Sequence, residues 1–326
     1  MKPLVVVGGA IHPDGIKQLE TEARVVVTEE TTEGGMVRIA READAILFRI
    51  EPSVTRSLMA ACPRLTCVGR HGVGLDTVDL GAATELGIAV VHAPGSNSDS
   101  VAEHTLMLIL ACAKKTLHLD ALTRKADWSP TRWRGIIELA GKTLGIVGVG
   151  NIGRRVARIG NAFGMRVLGY DRYVPAGELR ARGAEPMPSL HALLGEADVV
   201  TCHTPHTPET HHMFDAKAIA RMKDGAIFVN TSRGKTQDES ALFEALTRGK
   251  IGSAGLDVFE EEPISADHPI LNLPNVVLSS HIAGVSEEAF RHMAMQVTAE
   301  MLRVLRGERP HVLGNPAVGP KLGHLK

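Results

Sequence analysis

The chain has 326 residues, 44% of them apolar and 22% charged, with a formal net charge of −1. This length exceeds one ordinary core and predicts two domains. The near-zero charge leaves no basic excess to neutralise phosphates, which argues against nucleic acid as a partner, and no apolar run approaches the ~20 residues of a membrane span.

The opening MKPLVVVGGAIHPDG reads as a strand entering a loop, not as a leader peptide, because no small-residue cleavage site follows its apolar run. Leu4–Val7, Arg24–Val27, Ala45–Phe48, Thr66–Gly69 and Ala89–Val91 are short apolar runs separated by polar, helix-compatible stretches. That rhythm predicts a parallel sheet covered by helices. Gly8-Gly9 follows the first run, but no third glycine completes a phosphate loop. Cys62, Cys67, Cys112 and Cys202 show no paired spacing, so we read reduced thiols in a cytoplasmic protein and no zinc site.

Pro94, Gly95 and Asn97 then break the pattern, and Ser100-Val101-Ala102-Glu103 fits a capping box at the start of a long helix. The domain crossover is placed just before it. A second series follows: Thr143–Val147, Arg166–Tyr170, Val199–Cys202, Ala226–Asn230, Ile251–Leu256 and Val276–Leu278. Glu287 to Leu305 is amphipathic and helical, and the tail from Gly307 is rich in proline and glycine.

Gly148-x-Gly150-x-x-Gly153 sits directly after a strand-like run and before a helix-like one. Its glycines suit a tight turn, close approach to a pyrophosphate, and close helix–strand packing, with the helix N-terminus facing the phosphates. Asp171, at the end of the next strand, lies near the ~20-residue offset at which an acid binds the adenosine ribose. A carboxylate there repels a 2′-phosphate, so NAD is expected over NADP, with Arg172 as the opposing feature.

Polar residues also cluster at three later strand ends, in VNTSRGKTQDE, GLDVFEEEP and LSSHIAG. C-terminal strand ends line the ligand crevice of open α/β sheets. Arg233, an acid after Leu256 and His281 can therefore meet. An arginine can grip a substrate carboxylate with its bidentate fork. A histidine can pass a proton to a carbonyl oxygen, and a carboxylate bonded to it stabilises the imidazolium. The residue pattern alone leaves open which of Glu260, Glu261 and Glu262 is that acid. His203, His206, His211 and His212 carry ligand-like spacings, but Pro205 and Pro208 interrupt any helix that would present them, and no metal is expected.

GRHGVGLDTVD, NSDSVAEH, GKTLGIVGVGNIG, HTPHTPET, NTSRG, GLDVFEEEP and SSHIAG occur in an order that resembles the D-isomer-specific 2-hydroxyacid dehydrogenases, with their phosphoglycerate dehydrogenase and hydroxypyruvate/glyoxylate reductase branches. The resemblance covers nearly the whole chain. It implies Arg233 as the substrate-binding catalytic arginine, His281 as the general acid/base and Glu262 as its partner. It further implies Val73 and Gly74 amides as the substrate carboxylate cradle. Asn151, Ile152, Pro205, Thr210, Thr231 and Asp257 are implied as cofactor contacts beside Gly148, Gly150, Gly153 and Asp171.

The implied fold is α/β: two Rossmann-like, doubly wound parallel-sheet domains with the active site in a cleft between them. Residues 1–96 plus 287–326 would form a discontinuous substrate domain, and 97–286 the NAD domain. The implied reaction is hydride transfer between NAD(H) and a small 2-hydroxy or 2-oxo acid of the hydroxypyruvate, glyoxylate or 3-phosphoglycerate type, carried out by a homodimer. A phosphoglycerate dehydrogenase ending at residue 326 would be of the short kind. The alternative is an NAD(H)-sensing, corepressor-like binding protein of the same fold. Arg49, Arg70 and His71, at strand ends of the first domain, are candidates for holding a second anionic group.

Overall fold

The computed structural model describes residues 2–30 and 32–322. The chain divides into two compact units, Met1–Asn97 with Val285–Lys326, and Ser98–Gly284. The last residues of the 287–326 segment lie outside the described residues.

In the first unit, β1 (Leu4–Gly8), β2 (Arg24–Thr28), β3 (Ala45–Phe48), β4 (Cys67–Arg70) and β5 (Ala89–Val91) form an all-parallel sheet of order β2-β1-β3-β4-β5. This is the flavodoxin-like variant of the doubly wound plan. Alternation along the strands divides the core. Val6, Ile46, Phe48, Val68 and Val90 pack on one face, and Val5, Val7, Leu47, Cys67 and Val91 on the other. The second face is covered by the helix Glu287–Leu305 (α12), through Ala294, Val297, Met301 and Leu302. Two glycines permit this approach. A Cβ on Gly69 would lie 2.3 Å from the Met301 sulfur, and one on Gly15 would lie 2.8 Å from the Ala294 Cβ. Beyond α12, the Asn315 side chain accepts from Val90 N (3.0 Å) and donates to Ile88 O (2.9 Å), so the tail occupies polar groups along β5.

In the second unit, β6 (Thr143–Val147), β7 (Arg166–Tyr170), β8 (Glu185–Pro186), β9 (Val199–Cys202), β10 (Ala226–Asn230), β11 (Ile251–Leu256) and β12 (Val276–Leu278) make a parallel sheet of order β12-β11-β10-β9-β6-β7-β8. Counted from the β8 edge, its first six strands follow the Rossmann order, with the direction of winding reversing between β6 and β9. Both faces are buried: Phe228 packs on one side, and its neighbours Ile227 and Val229 on the other. The two-residue β8 has no counterpart in the sequence reading. The long helix of this unit, α5, runs Ser98–Lys114, so Ser100 lies inside it and the expected capping box does not form. The Ser100 hydroxyl instead donates to Ala283 O (2.8 Å), an acceptor supplied by a distant loop that local sequence spacing does not reveal.

Candidate active site

β10, β11 and β12 are adjacent and in register, with Asn230 opposite Leu256 and Leu256 opposite Leu278. The three loops that follow therefore leave the sheet at one level. This is why residues so far apart in sequence converge.

The first loop is knitted by Asn230, which is fully buried. Its Oδ1 accepts from Ser232 N (2.9 Å) and Ser232 Oγ (2.8 Å), and its Nδ2 donates to Arg233 O (3.1 Å) and Gln237 Oε1 (2.9 Å). Arg233 donates from Nη1 to Ser232 O (2.8 Å). Gly234 then presses on the second loop: a Cβ there would lie 1.8 Å from Phe259 O. The arginine loop and the glutamate loop are thus packed backbone to backbone.

In the second loop, Glu262 Oε1 accepts from Phe259 N (3.0 Å), and Oε2 lies 2.7 Å from His281 Nδ1. Partial burial works to raise the Glu262 carboxyl, but the His281 hydrogen bond, the Phe259 amide, and the charges of His281 and Arg233 outweigh it and hold the group below the usual carboxylate range. Glu260 is held by two partners of its own. Its Oε1 accepts from Glu239 N (2.7 Å), at the start of the helix Glu239–Thr247 (α11), and its Oε2 lies 3.2 Å from His212 Nε2. A carboxylate at a helix N-terminus answers a free amide and the dipole.

His281 opens the third loop's turn with φ +54, a left-handed conformation uncommon for any residue with a Cβ. The conformation is held largely by Asp257, which is fully buried. Asp257 O accepts from His281 N (2.7 Å), Oδ1 from Ile282 N (3.0 Å) and Ser279 Oγ (2.6 Å), and Oδ2 from Ala283 N (2.8 Å). The side chain expected to touch the cofactor is thus committed to the loop that carries the histidine.

The phosphate loop shows three distinct glycine environments. Gly148 has φ +86, and a Cβ there would lie 2.9 Å from the His203 carbonyl carbon. Gly153, at the start of the helix Gly153–Ala162 (α7), leaves 2.2 Å between a Cβ and Gly148 O. A Cβ on Gly150 would meet nothing within 4 Å. One glycine makes the turn, one allows the helix to pack, and one leaves open backbone for a pyrophosphate, so these residues fit a dinucleotide. Asp171 is fixed at the mouth of this loop: Oδ2 accepts from Val149 N (2.9 Å) and Oδ1 from Tyr173 N (2.9 Å). Ile152 packs against the core beneath the loop, and Asn151 O accepts from Arg155 (2.9 Å). Thr210 Oγ1 donates to Pro205 O (2.7 Å), closing the turn that follows β9. Thr231 is buried and shares a 3.0 Å hydrogen bond with Thr105 of α5.

In the first unit, Val73 O accepts from His92 Nδ1 (2.8 Å). Among the described residues, the Val73 and Gly74 amides donate to no backbone carbonyl. His71 departs from its expected role. It is fully buried, its Nε2 donates to Phe290 O (3.0 Å), and burial pushes its imidazole down to about 4. A neutral, buried ring is no anion ligand. Arg49 lies over the Phe290 ring (5.2 Å), and Arg70 donates to His71 O. Asn230, Gly234 and Ser279 organise the site but were not singled out from the sequence. They stand inside the quoted NTSRG and SSHIAG stretches, whose polar density was their only signal.

This phosphate loop, followed by three catalytic-type loops on neighbouring strands, defines a nucleotide-dependent dehydrogenase architecture. The chain belongs to the D-isomer specific 2-hydroxyacid dehydrogenases: residues 106–283 match that family's NAD binding domain. It is 41% identical over 324 residues to a D-3-phosphoglycerate dehydrogenase of Methanocaldococcus jannaschii, covering 99% of this chain and 62% of that one. It is 37% identical to a glyoxylate reductase of Korarchaeum cryptofilum, covering 98% and 97%. The chain therefore spans less than two thirds of the first relative and nearly all of the second. Among solved structures, the D-lactate dehydrogenase from Aquifex aeolicus, complexed with NAD and lactic acid, superposes with a TM-score of 0.81 at 32% identity, covering 93% of this chain and 96% of that one.

Proposed function

We propose that the chain is an NAD-dependent D-2-hydroxyacid dehydrogenase that reduces small 2-oxo acids of the glyoxylate, hydroxypyruvate or phosphoglycerate-derived type. The observation that carries this is the 2.7 Å contact between His281 Nδ1 and Glu262 Oε2 beside Arg233. Glu262 fixes the ring through this contact. His281 Nε2 makes no hydrogen bond to any described residue, which leaves it for the substrate oxygen. Arg233 grips the substrate carboxylate and polarises the adjacent carbonyl, and the Val73 and Gly74 amides are assigned to carboxylate binding in the first unit. NADH held at the Gly148–Gly153 loop would supply the hydride for such a reduction. His281 gives its Nε2 proton to the oxygen as the C=O π bond opens, and in the reverse direction takes it back.

The position of Asp171 supports NAD over NADP. Arg172 lies near enough to Glu209 to help lower that carboxyl, after the hydrogen bond from Thr207 and the residue's own backbone amide. A phosphorylated substrate is left to Arg49 and Arg70. Leu117, Trp128 and Trp133, 59%, 70% and 64% exposed, are large apolar side chains in one segment and support a homodimer. Four free, buried cysteines suit a cytoplasmic location. Among the described residues, no helix is long and apolar enough to cross a membrane.

Initial rates with NADH and NADPH against glyoxylate, hydroxypyruvate and phosphohydroxypyruvate test the reading. NADH oxidation with at least one acid is expected. If none of these or a wider 2-oxo acid set turns over, the enzyme reading fails and the NAD(H)-sensing, corepressor-like one gains.

A further inference from the structure

His281 depends on a loop whose hydrogen bonds converge on Asp257, and that carboxylate has one more neighbour. His104 of α5 places Nε2 2.8 Å from Ser279 Oγ and 3.6 Å from Asp257 Oδ1. The hydrogen positions follow from the partners. A carboxylate oxygen can only accept, so the single Ser279 hydroxyl proton goes to Asp257. Ser279 Oγ is then an acceptor toward His104, and Nε2 must carry a hydrogen. The chain of donors runs from His104 through Ser279 to Asp257, and the amides of Ile282 and Ala283, just after His281, also donate to Asp257.

Ser100 lies one helical turn before His104 on the same face of α5, and it donates to Ala283 O (2.8 Å). Thr105, the next residue, meets Thr231 in the arginine loop. Helix α5 thus touches the histidine loop at both ends and the arginine loop once. A left-handed non-glycine backbone costs about 1–3 kcal/mol and persists only when its surroundings over-determine it. The Asp257 network does so for His281, and His104 completes that network.

We infer that His104 is a positioning residue for the acid/base histidine, acting through Ser279 and Asp257 to hold the His281 imidazole against Glu262. The inference rests on His281 being the proton donor. The charged groups around His281 are Glu262 and Arg233, with Asp257 beneath the loop.

The test compares His104→Ala, Ser279→Ala and His104→Gln with the parent. Glutamine keeps a donor at the distance of Nε2. Two readouts are used: pH profiles of kcat with NADH and the best 2-oxo acid, and the pH titration of the His281 imidazole by NMR, assigned with His281→Asn. The expected result for His104→Ala and Ser279→Ala is a fall in kcat of about tenfold to a hundredfold, with KM for NADH unchanged within about twofold. The His281 midpoint should move to lower pH as the loop lets the ring leave Glu262, and His104→Gln should restore most of both. A merely structural role would lower the melting temperature and leave the titration in place. If His104→Ala fails to fold, Ser279→Ala decides. Either alanine variant, folded, with parental kcat and midpoint overturns the inference. A parent that turns over no 2-oxo acid sinks the proposed reaction instead, and the titration still decides the role of His104.

Discussion

Replacing Glu262 by glutamine keeps the shape of the His281 contact and removes its charge. The His281 hydrogen bond and charge are among the causes that hold the Glu262 carboxyl below its usual range. Without the carboxylate charge the imidazolium loses support, so the alkaline limb of the reduction profile should move toward acid and kcat should fall by about tenfold or more. Glu262 also gives stability that is present above the ordinary carboxylate range and is lost as pH falls through its lowered value. Glu260→Gln should leave the pH profile alone, because its oxygens serve α11 and His212. Its cost should be near 1 kcal/mol, seen as a lower melting temperature. Equal pH shifts in the two variants would refute this division of labour. Asp171→Ser should raise kcat/KM for NADPH relative to NADH by about tenfold or more; an unchanged ratio would remove Asp171 from cofactor selection.

At the level of elements, the arginine and glutamate loops act as a packed pair. Gly234→Ala would drive a Cβ into the Phe259 carbonyl, where neither backbone can yield cheaply. A loss of roughly 3 kcal/mol or more in denaturant unfolding is expected, with activity falling more than the folded fraction. Full activity at parental stability would contradict the packing. The same elements show what was legible beforehand. Runs such as Ala45–Phe48 and Ala226–Asn230 were read at their observed bounds because strands buried on both faces are continuously apolar. Glu185–Pro186 escaped because two residues carry no periodicity. Ser100 was misread because its partner, Ala283, is distant in sequence. The same holds for His71, whose burial depends on Phe290. Arg233, His281 and an acid after Leu256 were legible as strand-end polarity. Choosing among three glutamates required the family register, since only the fold brings Glu262 to His281.

At the scale of the whole molecule, the second unit is one uninterrupted segment and the first is not. Val297, Met301 and Leu302 of α12 are nearly or fully buried. At roughly 1.5–3 kcal/mol each, they contribute as much as many domains' entire margin of stability. A chain ending at residue 284 should therefore leave the first unit without its covering helix. The expected outcome is loss of protection from proteolysis in residues 1–97 with retention in 98–284, and retained NADH binding by the latter. Equal protection of both segments would show that α12 is dispensable.

The return of α12 also sets an order on synthesis. The ribosome makes residues 98–284 before it makes the helix that covers β1, β3 and β4. The N-terminal segment, although made first, must wait with Val5, Val7 and Leu47 uncovered while the later segment folds. The first unit is thus the last to finish, and its waiting strands are where a chaperone would be needed during translation.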